Sequence, residues 1–367
     1  MKLKNLPTDA FVEILLRLPP SSLWRFRLVS RHWRTVIDER TPRSRPKALA
    51  FCVNGKSAYA YVIDDLADGR CRAREVWRHR FKAMVGTCNG LLCLCSVSSG
   101  DIVVVNPVTG ETLDVPRCPA EYRNWKAFSF GFHLPTGLYK IVYLPLTYGF
   151  IDEVQVLTLG DASWRRVAVA GGSSCRLAAG VVSVDGATFW VTEGADRVAS
   201  FDLGDERVRT VPMPVEVGHG FSCHLTEVNG RLGVAVISTE RPMTTTPAKI
   251  EVWVLGEGII RDRRTKWSRR YSVQVQGVER LLARPHFAYG DHVLTTDTRK
   301  RTHTHMQGEL TKMFGHNVGR PLVSGEVRSV WIREPGTAVS GIIENSNLRG
   351  IFAYDETTEP LSCYRAW

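Results

Sequence analysis

Two stretches of this chain share one spacing, and that spacing limits what it can fold into. Cys88 to Pro116 reads CNGLLCLC, a turn at Ser98-Ser99-Gly100-Asp101, then IVVVNPVTGETLDVP. Asp185 to Pro212 reads DGATFWVT, a turn at Glu193-Gly194-Ala195-Asp196, then RVASFDLGDERVRTVP. Gly90 to Asn106 is a separation of 16 residues, and Gly186 to Asp202 is the same. Each stretch is turn, strand, tight turn, strand, turn, strand, because Val, Ile, Leu, Phe and Trp runs alternate with Gly, Asn, Asp and Pro. One such unit cannot bury both faces of its own sheet, so neighbouring units must pack on each other.

Further units follow the same grammar. A variant runs from Phe128 to Val169, and Asn229-Gly230 opens another, lengthened by the polar insertion Glu240–Lys249. Tyr289-Gly290 opens a weaker copy, Ile351 to Leu361 reads as a terminal strand pair, and residues 48–70 add strands near the start. Units of roughly 40–55 residues with about four strands each predict a β-propeller, with six blades the best count and five or seven open. Strands near residues 48–62 and 350–361 are expected to share a blade. The competing architecture is a pair of β-sandwiches. No long amphipathic helix is expected after Ala48.

The first residues obey a different period. From Leu6 to Asp38, Phe11, Ile14, Leu15 and Leu18 share a helix face, and Pro7 suits the first turn. Pro19-Pro20 ends that helix, Ser21 or Ser22 can cap a second with Leu23, Trp24, Phe26 and Leu28, and Ser30 can cap a third with Trp33, Val36 and Ile37. Three short helices have too little interior to bury all of these side chains, so the surplus apolar surface needs a partner. The fold class is therefore mainly β with a small N-terminal α module: helices over residues 1–42, a linker over 43–47 rich in Pro and basic residues, and a β domain over 48–367.

No apolar run reaches the length of a membrane span, and Met1-Lys2 leads directly into the first helix without a secretory signal. The nine cysteines have no zinc-type spacing and read as small buried hydrophobes of a reducing compartment, Cys93 and Cys95 on one strand face. The expected location is cytoplasmic or nuclear. The net charge is +11, and residues 1–47 hold eleven Lys/Arg against four Asp/Glu. Charge so placed suits an acidic protein surface beside the helices.

The sequence holds no G-x-S-x-G, H-E-x-x-H, phosphate loop or dinucleotide fingerprint. His303-x-His305 with His292 lacks Cys or acidic partners at useful spacing, and Asp64-Asp65 reads as a turn, so neither metal nor cofactor is expected. Arg261 to Tyr271 (RDRRTKWSRRY) reads as a hairpin between strands. Its Arg263, Arg264, Arg269 and Arg270 are the candidate contacts to an acidic or phosphorylated target, since guanidinium groups bind carboxylates and phosphates bidentately.

Two resemblances give these features a context. The stretch Leu6 to Asp38 resembles the F-box, on Leu6-Pro7, Ile14-Leu15, Leu18-Pro19, Leu23, Phe26, Arg27, Val29, Arg31, Trp33 and Ile37, with Ser30 where members often have Cys. Gly86–Leu94, Val105–Glu111 and Ser129–Ile141 resemble the F-box-associated domain of plant F-box proteins, a kelch-like region that follows an N-terminal F-box. The paired Gly-Gly of true kelch repeats is absent, and units past about Arg261 drift from the pattern.

The resemblance implies a non-catalytic substrate receptor of an SCF-type ubiquitin ligase. Such a chain binds a Skp-family adaptor, and through it cullin, and presents a target protein for ubiquitination and proteasomal degradation. Leu6, Pro7, Ile14, Leu15, Leu18, Pro19, Val29 and Trp33 are the implied adaptor-facing or adaptor-shaping set. The alternative is a nucleic-acid-binding or other non-catalytic β-propeller scaffold whose F-box serves only in regulation. An enzyme using a central propeller pocket would need a convergent set of His, Tyr, Cys or acidic residues, which the sequence does not assemble.

Overall fold

The computed structural model of the protein describes residues 7–18, 22–23, 26, 29–40, 47–54, 57–63, 73–80, 82–97, 99–119, 124–215, 221–228, 230–238, 248–256, 267–275, 282–289, 292–300, 323–331, 338–343 and 347–365. Two helices come first, α1 (Thr8–Leu16) and α2 (Arg31–Arg40). Helical backbone also occurs at Ser22, Leu23 and Phe26, and the rest of the expected middle helix lies outside the described residues.

Strands follow in chain order. β1 (Lys47–Asn54), β2 (Ser57–Ile63) and β3 (Ala73–Arg80) form a meander. β4 (Lys82–Cys88), β5 (Leu91–Ser96), β6 (Ile102–Val105) and β7 (Thr112–Asp114) make the next sheet. A third holds β8 (Phe128–His133), β9 (Leu138–Tyr143), β10 (Phe150–Thr158) and β11 (Arg165–Ser174). A fourth holds β12 (Val181–Val184), β13 (Ala187–Val191), β14 (Arg197–Asp202) and β15 (Val208–Pro212). The largest sheet comprises β16 (Phe221–Val228), β17 (Arg231–Ser238), β18 (Ala248–Leu255), β19 (Trp267–Val275), β20 (Leu282–Tyr289), β21 (His292–Lys300), β22 (Val323–Trp331) and β23 (Ala338–Ile343). β24 (Asn347–Tyr354) returns to pair with β1, as the terminal strands led one to expect.

The described residues therefore form five sheets, a correction to the count of six. The reason is local: β16 and β20 pair in parallel through Glu227 with Phe287 and Val228 with Ala288, which joins two four-stranded meanders into one eight-stranded sheet. The terminal strand pair also needs correcting, because only β24 is a strand and Leu361–Tyr364 is a 3-10 turn. The insertion over 240–247 and the Asp64-Asp65 pair lie outside the described residues. The chain divides into two compact units, one of residues 1–46, 83–210 and 354–367, the other of 47–82 and 211–353.

In the first unit the two matched stretches fold alike. Ser96 N–H donates to Asp101 O at 2.8 Å, and Thr192 N–H to Arg197 O at 3.0 Å. One turn later, the Asn106 side-chain oxygen accepts from the amides of Val108 and Thr109, and the Asp202 carboxylate accepts from those of Gly204 and Asp205. Such side chains substitute for a backbone acceptor and fix the reversal, which is why Asn and Asp stand there. The left-handed position that follows is Gly110 (φ 76°) in one copy and Glu206 (φ 56°) in the other. Glu206 is held there by its carboxylate, which accepts from Arg165 at 2.7 and 2.8 Å and from buried Lys140 at 2.9 Å. Lys140 lies on β9 and Arg165 on β11, so this cluster ties the third sheet to the fourth.

The second, third and fourth sheets share one apolar core that includes Cys93, Tyr139, Trp190 and Phe201. Where the third and fourth sheets meet, side chains are small. A Cβ on Gly131 would lie 2.8 Å from that of Ser183, and the hydroxyls of Ser129, Ser183 and Thr188 bond one another at 2.8–3.0 Å. The C-terminal segment completes this unit. Asn106 donates to Glu359 O at 2.8 Å, Leu361 N–H donates to the Glu111 carboxylate at 3.0 Å, and the Tyr364 ring meets Tyr139 edge-on at 5.7 Å. In the second unit, Ala48 to Cys52 of β1 are buried, as are Val234, Ala235 and Val252 of β17 and β18.

Two outcomes follow. Gly110→Ala meets no atom within 4 Å and should cost about 1–2 kcal/mol from its left-handed backbone alone. Gly90→Ala should cost more than about 3 kcal/mol, because its Cβ would also collide with the Asp355 carbonyl oxygen; denaturant midpoints measure both. The Glu206 carboxyl is held down to about 2, first by hydrogen bonds from Arg165 and then by Lys140. Its contribution to stability is therefore complete above about pH 4.5 and is lost as pH falls towards 2. Glu206→Gln should lower the melting temperature at pH 7 and flatten its decline across that window.

Candidate functional site

The helical module is built around one small core. Ser30 caps α2 through its hydroxyl, which accepts from Trp33 N–H at 3.1 Å, the role its position in the sequence predicts. Pro7 sits just before the first turn of α1 and its carbonyl accepts from Phe11 N–H at 3.0 Å. Phe11, Leu15, Val36 and Ile37 are buried together, with Val12, Leu18, Leu23, Phe26 and Trp33 packed around them. Trp33 lies between two rings, 4.6 Å from Phe11 and 5.2 Å from Phe26.

The core leaves a specific remainder. Ile14 is 48%, Leu16 48% and Val29 60% exposed, and Pro7 is exposed beside them in sequence at the start of α1. The predicted adaptor set thus divides. Leu15 lies inside the module, Leu18 and Trp33 line its core, and Pro7, Ile14 and Val29 face outward; Leu6 and Pro19 lie outside the described residues. Ile14 does not share the buried face with Phe11 and Leu15. Leu16 was missed; its signal was only that it extends the apolar run Ile14-Leu15. Three aliphatic side chains left in water on so small a module form the kind of surface that a protein partner covers.

The basic run is arranged differently from the expected hairpin. Trp267 to Arg270 belong to β19, an edge strand, while Arg263 and Arg264 lie outside the described residues. Arg269 and Arg270 are exposed, and Arg269 reaches the Glu251 carboxylate at 3.4 Å across β18. The register shifts between Val252 and Trp253, opposite Arg270. An edge strand tolerates such charge because one side faces water, and the charge discourages pairing with other chains.

Among the described residues no group of three or more His, Cys, Asp or Glu could hold a metal ion; His303 and His305 lie outside them. Cys93 and Cys95 are buried on one face of β5, as expected. Burial pushes the Cys93 thiol well up and the Cys175 thiol up to about 12, which keeps both protonated and unreactive. No helix among the described residues is long and apolar enough to cross a membrane.

A helical module with an unburied aliphatic surface, followed by four four-stranded sheets and one eight-stranded sheet, is the layout of a β-propeller protein with an N-terminal helical module. The chain belongs to the F-box-associated β-propeller family: residues 70–288 match the F-box associated beta propeller domain, and residues 3–45 match the F-box domain. Curated relatives from Arabidopsis thaliana agree. An F-box protein is 26% identical over 77% of this chain and 76% of its own length. An F-box/LRR-repeat/kelch-repeat protein is 30% identical over 59% of this chain and 63% of its own, and a putative F-box/kelch-repeat protein is 24% identical over 72% and 75%.

The division of the helical module predicts a contrast. Leu15→Ala should destabilise it by about 2–5 kcal/mol, and Trp33→Ala by about 3–5 kcal/mol. Ile14→Ala and Val29→Ala should stay within about 0.5 kcal/mol of wild type by denaturation monitored in the helical circular-dichroism band.

Proposed function

We propose that this chain is the substrate-recognition subunit of an SCF-type ubiquitin ligase. The helical residues 1–42 bind a Skp-family adaptor and through it cullin, residues 43–47 act as the linker, and the β region from 48 to 367 binds a target protein for ubiquitination and degradation. The observation that carries the reading is the exposed aliphatic group Ile14, Leu16 and Val29 on the stretch that matches the F-box. In this role Ile14 and Val29 enter the adaptor's apolar surface, flanked by Leu6, Pro7 and Pro19. Leu15, Leu18 and Trp33 hold the helices that present them.

No residue of this chain then makes or breaks a bond. The receptor acts by proximity, holding a target lysine near a charged conjugating enzyme and so raising its effective concentration. On the β region, Arg263, Arg264, Arg269 and Arg270 are proposed contacts to acidic or phosphorylated target groups, with Arg269 exchanging its Glu251 partner for the target carboxylate or phosphate.

Titration calorimetry with a purified Skp-family adaptor tests the first half. Ile14→Ser with Val29→Ser should weaken binding at least about thirtyfold while helicity is retained. Unchanged affinity would remove the adaptor role from this surface. Reversal of the four arginines to Glu should leave adaptor binding intact and abolish binding of at least one partner recovered by the wild type; an identical partner set ends the proposed role of the run.

A further inference from the structure

The geometry points to a second recognition surface: we propose that the β9–β10 hairpin binds an extended target segment carrying lysine or arginine. This rests on the receptor reading and names the chemistry that the receptor would select. Thr147 and Phe150 exchange two backbone hydrogen bonds of 2.9 and 3.0 Å, which leaves Tyr148-Gly149 as a two-residue turn with φ of 53° and 85°. Such a turn calls for Asn, Asp or Gly at its first position, and a bulky side chain held there costs stability. Tyr148 is 99% exposed, so no packing within the chain offsets that cost. Phe150, two residues on, is 61% exposed. Two aromatic rings thus stand in water at the tip of a strained hairpin.

The adjoining backbone is also irregular. Ile151 pairs with Ser173 but Glu153 pairs with Ala168, so Asp152 falls at a break in register, opposite Gly171 and Gly172, both at positive φ. Bulges of this kind re-aim a side chain. Asp152 lines an open hollow of about 530 Å³ together with Thr147, Glu153 and Arg166. Arg166 lies 3.9 Å from Glu153, whereas Asp152 has no side-chain hydrogen bond or ion pair among the described residues. A further acidic residue borders the hairpin: Cys175 N–H donates to Gly149 O at 3.1 Å, and Glu193 N–H to the Ser174 hydroxyl at 3.1 Å, with Glu193 exposed. Arg197 is engaged by Thr210, and Arg176 is half-buried in the intervening linker.

The exposed rings of Tyr148 and Phe150, next to the Asp152 carboxylate in the chain, complement a cation locally, although the chain as a whole carries a net charge of +11. An ammonium or guanidinium group over the face of Tyr148 would gain from the ring quadrupole while Asp152 supplies the counter-charge. The same carboxylates repel a polyanion, which favours a protein segment over nucleic acid.

The test uses the full chain and an array of decapeptides of randomised sequence with Lys, Arg, Ser or Glu at the centre. The wild type should select Lys- and Arg-centred peptides. For the best of these, followed by fluorescence anisotropy, Tyr148→Asn should weaken binding about tenfold and Asp152→Lys at least as much, while Tyr148→Phe stays close to wild type. Tyr148→Asn should melt at the same or a higher temperature, because Asn suits the turn; loss of binding is then not loss of fold. Selection of Ser- or Glu-centred peptides, or wild-type affinity in both Tyr148→Asn and Asp152→Lys, overturns the proposal. Adaptor binding is measured in parallel. If it is intact and basic peptides are not selected, this surface fails while the receptor reading stands; if basic peptides are selected but no adaptor binds, the reverse holds.

Discussion

Three strands near the middle of the first unit have almost no solvent face. β5 is buried from Leu91 to Cys95, and β6 and β13 are buried at every position. An antiparallel strand normally alternates one wet and one dry side, so burial on both sides means that each sheet is covered on both faces. Everything between the sheets must then fit a narrow gap without leaving a polar group unmatched. Gly131 lets β8 come against Ser183, and the hydroxyls of Ser129, Ser183 and Thr188 satisfy one another inside that contact. Trp190 fills a wider part of the same interface, and its indole N–H donates to Ser173 and Ser174. Apolar burial supplies the driving force, and these matched polar contacts fix how the sheets register.

The helical module meets the same requirement only in part. Its core of Phe11, Leu15, Val36 and Ile37 is small, and the aromatic contacts of Trp33 enclose it. The remainder, Ile14, Leu16 and Val29, stays in water. The strands β5, β6 and β13 are covered by the chain itself, whereas the aliphatic side chains Ile14, Leu16 and Val29 are not. Any partner that bound only the folded helical module would stabilise it by mass action.

What could be read from the sequence is what short-range chemistry decides. Ser30 caps α2 because a hydroxyl three residues ahead of an amide can reach it, and that reach is visible in the letters. Asn106 and Asp202 fold their turns by bonding to backbone two and three residues on, so the shared spacing announced a shared shape. The parallel pairing of Glu227 with Phe287 joins strands that are far apart in sequence, and no local pattern encodes it. Glu206 occupies a position where its repeat has Gly110, and only Lys140 and Arg165, brought in from another sheet, explain its presence. Of the adjacent pair Ile14-Leu15, helical spacing alone does not say which turns inward; the position of α2 decides. Arg269 and Arg270 looked like turn residues by composition, but an edge strand accepts charge without ceasing to be a strand. Tyr148 carried no turn signal because Tyr is a poor residue for the conformation it adopts.

The late segment that locks against Asn106 and Glu111 sets an order of events during synthesis. Asn106 waits for Glu359 across 253 residues, and Glu111 waits for Leu361 across 250. The buried carboxylate of Glu359 and the ring of Tyr364 reach their places only after nearly all of the preceding chain has left the ribosome. The core of the N-terminal helices, by contrast, is formed among the described residues by side chains from the first forty positions. A nascent chain therefore displays its aliphatic helical surface long before the second sheet has its last neighbours. A product that stops short of Tyr354 would keep that surface while lacking the segment that seats Gly90 and Asn106. Premature termination thus separates the two halves of the molecule in time as well as in sequence, leaving the helical half assembled beside an unfinished β half.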